Sequence, residues 1–164
     1  MRYGSGSDYN GAESEQSPGS LRTLSGNNKH MALEQIHSLL AAKRYSVVET
    51  GEGVLRIQEV ESGISLQAVL ESDILFLSLV CVTLPEAKIT PAVMRKMLAS
   101  DNGISTSHFQ VTPTGDGNVA VTLNNFCKLE PEMGSEDEDD ILSCVSFLLA
   151  DVMHAKDILG ADLQ

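Results

Sequence analysis

The sequence predicts an α+β domain with the element order α-β-β-β-β-α-β-β-α, an antiparallel sheet with helices packed on one side. Three observations lead there. The hydrophobic period starts near 3.6 residues, changes to two after Lys43, and returns to a helical spacing in the last thirty residues. Short Gly- and Ser-containing turns recur every eight to ten residues between the alternating stretches, as in a meander. The segment 74–83 is apolar at odd and even positions alike, the pattern of a strand covered on both sides or standing at an interface.

Each element has its own local reason. Leu33, Ile36, His37 and Leu40 fall on one face of a helix over 31–43, with Asn28 placed to cap it. Tyr45 and Val47 begin a strand that turns at Gly51-Glu52-Gly53. Leu55, Ile57 and Glu59 alternate with Arg56, Gln58 and Val60, and Glu61-Ser62-Gly63 turns the chain again. Ile64, Leu66, Ala68 and Leu70 form the next apolar row, ending at Glu71-Ser72-Asp73. In 74–83, Ile74, Phe76, Val80 and Val82 share one face, and Leu75, Leu77, Leu79 and Cys81 the other. Leu84-Pro85 ends the strand, and Thr90-Pro91 opens a second helix with a cap and an N1 proline. Val93, Met94, Met97 and Leu98 make its apolar face, and Gly103 is positioned as its C-terminal glycine. Residues 104–128 read as a hairpin with its loop at 112–117. Ser135 and Glu138 have capping-box spacing, and the acids at 136–140 complement the positive end of the helix dipole. Ile141, Val145, Leu148, Val152, Ala155 and Leu159 then step by four and three to Gly160, with Leu142 and Leu149 widening the stripe.

Composition bounds the function. The 164 residues are 42% hydrophobic and 21% charged, which is ordinary for a folded domain. The net charge is −12 and the sequence pI about 4.6, which argues against nucleic acid and anionic membrane surfaces as partners. Aromatics are only 4%, with no Trp, so a stacking platform for bases is not expected. Residues 1–30, rich in Gly, Ser and Asn, read as a disordered tail, and 31–164 as a single domain, with Met31 opening the first amphipathic pattern. The tail's charges cancel, so the domain carries all of the net charge. No stretch has the length of a membrane span or signal peptide, and the expected location is the cytoplasm.

No chemistry is legible. Cys81, Cys127 and Cys144 are odd in number, widely spaced and set among apolar residues, where a cysteine acts as a small hydrophobe. His30, His37, His108 and His154 have no metal-ligand spacing. A Cys127–His108 nucleophile pair across the hairpin lacks any accompanying oxyanion hole. The run 136–140 cannot fill alternate positions of a calcium loop, and Thr114-Gly115-Asp116-Gly117 lacks the lysine and following helix of a phosphate loop. The reading is therefore a protein that is not an enzyme, without metal or cofactor, that binds a polypeptide partner or a second copy of itself. The residues assigned to that interface are Leu75, Leu77, Leu79, Cys81, Val145, Leu149 and Val152.

The element order, small size and low pI resemble the type III secretion chaperone fold and its YbjN-like relatives. The second half resembles the YjfI-like bacterial family of unknown function. The stretches carrying this are Ile74-Leu75-Phe76-Leu77-Ser78-Leu79, Leu84-Pro85-Glu86-Ala87 and the helix at 90–98. They continue with Ser107-His108-Phe109, the Asp116-Gly117 turn and Asp140-Ile141-Leu142, so that the likeness spans roughly 64–159. The chaperone resemblance implies a homodimer that holds a secretion substrate in extended form without ATP. The YjfI-like resemblance implies a small cytoplasmic protein beside a membrane-stress system, and a structural subunit of a homo-oligomer stands as a further alternative. Neither resemblance implies site residues.

Overall fold

A computed structural model describes residues 26–160. Helix α1 (Gly26–Ala42) leads into four strands, β1 (Tyr45–Gly51), β2 (Val54–Glu59), β3 (Ser65–Glu71) and β4 (Ile74–Pro85). One 3₁₀ turn (Glu86–Lys88) and helix α2 (Pro91–Leu98) follow, then β5 (His108–Pro113), β6 (Asn118–Lys128) and helix α3 (Ser135–Gly160). All neighbouring strands are antiparallel, in the order β1-β2-β3-β4-β6-β5. The predicted α+β class and element order are those observed. The excursion through α2 and β5 lets β6 return beside β4, so the two longest strands form the centre of the sheet.

The alternation seen in the sequence sorts side chains onto two faces. Leu55, Ile57, Leu66, Ala68, Leu70, Leu75, Leu77, Leu79, Val121 and Leu123 point to the helical side and are buried. Against them lie Leu33, Ile36 and Leu40 of α1 and the full 4-3-4-3-4 stripe of α3, all buried. Each such Leu, Ile or Val side chain contributes roughly 1.5–3 kcal/mol of hydrophobic stabilisation. A second cluster joins α2 to this layer through Val93, Met97, Leu84, Val119, Val121 and Leu159.

Several local expectations change. Helix α1 begins at Gly26, so residues 26–30 belong to it rather than to a tail, and Asn28 is its third residue rather than its cap. The remainder of the expected tail, 1–25, lies outside the described residues. Helix α2 stops at Leu98, well before Gly103, because Asn102 Nδ2 donates to the Met97 carbonyl at 2.7 Å and Asn102 Oδ1 accepts from Ile104 N at 2.8 Å. Only Val93 and Met97 of its expected face are buried, while Met94 and Leu98 are exposed. A bulge in β4 inserts Cys81 between the pairs Val80–Thr122 and Val82–Val121. It reverses the alternation, so Val82 and Leu84 join the helical side, where unbroken alternation would have pointed Val82 outward.

Candidate interaction surface

The seven residues assigned to an interface are instead the interior of the molecule. Leu75, Leu77, Leu79, Val145 and Val152 are each at most 2% exposed, locked between the sheet and α3. Cys81 and Leu149 are half-buried against the same cluster. That correction has a simple cause. An apolar row on β4 and an apolar stripe on α3 satisfy one another within one chain, so these side chains are not available to a partner.

An exposed apolar surface of another kind is the opposite face of the sheet. The two central strands place aromatic and branched side chains there: Phe76 and Val80 from β4, and Phe126 from β6, the last 58% exposed. Phe76 and Phe126 are directly paired across the strands, with ring centroids 6.3 Å apart and planes tilted by 43°. Beside them Gln67, Val69, His108, Gln110 and Asn124 line a shallow depression of about 410 Å³. Asn124 Nδ2 donates to Gln110 Oε1 at 3.2 Å and to Thr122 Oγ1 at 2.9 Å, so these amides are already engaged beside the ring pair. The register puts Ser46, Val48, Arg56, Gln58, Gln67, Val69 and Ser78 on this face as well. In a chain of 23 acids, the outward positions of the six strands carry a single carboxylate, Glu71, at the end of β3.

The polar groups proposed in sequence as chemical candidates stay apart. His108 lies on the open face opposite Asn124, and Cys127 lies on the helical face, so the sheet itself separates them. His37 is exposed and bonds the Val47 carbonyl at 3.2 Å, and His30 pairs with Glu34 one turn on. Among the described residues, no three His, Cys, Asp or Glu side chains converge as a metal site would need. Also among them, no helix is long and apolar enough to cross a membrane.

Two buried carboxylates on α3 escaped the sequence reading. Asp137 accepts from Gly134 N at 2.8 Å and Glu130 N at 3.0 Å. The helix start is thus held by Asp137 reaching back, while Glu138 N bonds the Gly134 carbonyl, so Gly134 occupies the cap that Ser135 was expected to fill. Asp151 accepts from the backbone N–H groups of Ser105 and Ser107, each at 3.4 Å, and so ties the loop before β5 to α3. Both carboxylates are engaged by backbone, which makes them structural. The hairpin turn is similarly self-contained: Asp116 accepts from Thr114 Oγ1 at 2.7 Å and Asn118 N at 3.1 Å, and these bonds lower its carboxyl pKa.

Comparison with protein-family models finds no match, and comparison with curated proteins finds none.

Proposed function

We propose that the protein is a non-enzymatic binding module that associates with a second copy of itself through the open face of the sheet. The observation carrying this is the pairing of exposed apolar side chains with near-absence of acid on that face. Two copies of charge −12 repel over most of their surface. The face around Phe76, Val80 and Phe126 is where they can approach without burying unpaired carboxylates. A closed twofold contact is the commonest way for one surface to cover itself. The element order also supports the secretion-chaperone-like resemblance, in which a dimer holds an extended polypeptide. The measured mass of the purified protein tests the contact.

Light scattering on a dilution series should give twice the chain mass, with a Kd near 1 µM corresponding to about 8 kcal/mol. Added salt should strengthen the association, because it screens the repulsion between the acidic remainders. Phe126→Glu and Val80→Glu should each give a monomer with unchanged circular dichroism, since both side chains are exposed in the free chain. A wild-type protein that stays monomeric throughout refutes the proposal. A dimer indifferent to both substitutions refutes this face.

A further inference from the structure

Two of the three cysteines meet across the contact between α3 and β6. Cys127 is the second-last residue of β6 and points into the helical layer, where it is buried. Cys144 stands in the third turn of α3, half-buried, with its thiol donating to the Phe126 carbonyl at 3.6 Å. Phe126 directly precedes Cys127 in β6, and both cysteines pack in the same buried cluster, so the two thiols are neighbours across this contact. Cys81 is elsewhere: it sits at the β4 bulge beside Lys156, which at 1.5 Å per residue is about 18 Å along α3 from Cys144.

We propose that Cys127 and Cys144 are a peroxide-oxidisable dithiol that closes to a disulfide fastening α3 to β6. Cys144 is the accessible partner and the attacking sulfur. Its hydrogen bond with Cys127 lowers its thiol pKa, against opposing contributions from burial and Asp140. The Cys127 thiol is pushed up, first by that same hydrogen bond and then by burial, and so keeps its proton. In the first step the Cys144 sulfur forms a bond to one peroxide oxygen, the O–O bond breaks, and one water leaves with the thiol proton. In the second the Cys127 sulfur displaces the hydroxyl of that sulfenic acid as a second water, taking its own proton with it. Two thiols and one hydrogen peroxide become one disulfide and two waters. The sulfurs together lose two electrons and the peroxide gains them. Both cysteines face the helical layer, so the inference is independent of the association proposed above.

The test uses the full chain, reduced, freed of reductant and treated with hydrogen peroxide. Free thiols counted under denaturing conditions should fall from three to one, with the intact mass lower by two hydrogens. Peptide mapping without reductant should place the bond between Cys127 and Cys144 and leave Cys81 free. Reductant should reverse the change, and the oxidised form should unfold about 5–10 °C higher. In Cys144→Ser, a substitution at a half-buried site, both remaining thiols should survive the same treatment. Sulfinic acid on Cys144 without a link to Cys127 overturns the proposal. So does a Cys144–Cys144 bond between two copies, or survival of all three thiols at peroxide levels that oxidise free cysteine.

Discussion

Replacing Asp137 by alanine removes the side chain that holds two N–H groups preceding α3, and the cost follows from the structure. Its carboxylate is 5% exposed and accepts at 2.8 and 3.0 Å from Gly134 N and Glu130 N. A hydrogen bond to a charged group contributes about 1.5–3 kcal/mol, and a donor left without an acceptor in the interior costs about 1–3 kcal/mol. Glu130 is exposed, so its N–H regains water after the substitution, and part of the loss is recovered. The net expectation for Asp137→Ala is about 2–3 kcal/mol, or a thermal midpoint lower by roughly 5–10 °C in a chain of this size. Asp137→Asn keeps one acceptor oxygen and should lose about half as much. Ser135→Ala is the control: Ser135 is exposed and inside the helix, so its removal should cost no more than about 0.5 kcal/mol. Thermal and urea unfolding followed by far-UV circular dichroism measure all three. A stable Asp137→Ala variant alongside a Ser135→Ala variant that loses about 1 kcal/mol would refute the reach-back cap and restore the capping box.

Leu77→Asp or Leu79→Asp should abolish cooperative unfolding rather than yield a folded monomer, because each puts a charge between the sheet and α3 at a site no more than 2% exposed; circular dichroism with light scattering distinguishes the outcomes. Thr90→Ala removes the acceptor for Val93 N at 3.3 Å and should cost about 1 kcal/mol in urea unfolding. Burial pushes the Cys81 thiol up to about 11, so the folded chain keeps this proton when the unfolded chain, near 9.0, has lost it. The associated stability is complete below pH 9 and disappears as pH rises through 11, and Cys81→Ala should flatten that part of the stability–pH curve. In the native protein at pH 8, Cys81 should also alkylate more slowly than in urea.

The surface of this molecule was half legible. The sequence placed Ile74, Phe76 and Val80 together on one face of β4 and Leu75, Leu77 and Leu79 on the other, and the structure keeps both groupings. Which group faces solvent was not written in the strand, because both are apolar and either could have met α3. The decision came from the neighbouring strands: Gln67 and Asn124 accompany Ser78 on one side, while Ala68, Leu70 and Leu123 accompany Leu77 and Leu79 on the other. Comparing the even and odd positions of all six strands at once would have found the open face.

By itself the sequence determined the order of the elements and the stripe of α3, because periodicity and turn chemistry act within a few residues and need no distant partner. Tertiary structure alone decided the rest. The bulge at Cys81 shifts the pairing of β4 with β6 by one residue, and no local pattern announces an inserted residue. Asp137 and Asp151, sitting among helical acids and apolar residues, read as ordinary surface charges until the loops before α3 and β5 brought backbone N–H groups to them. The meeting of Cys127 with Cys144 is likewise a product of packing α3 on β6, since sixteen residues separate the two thiols in the chain and one helix–sheet contact joins them.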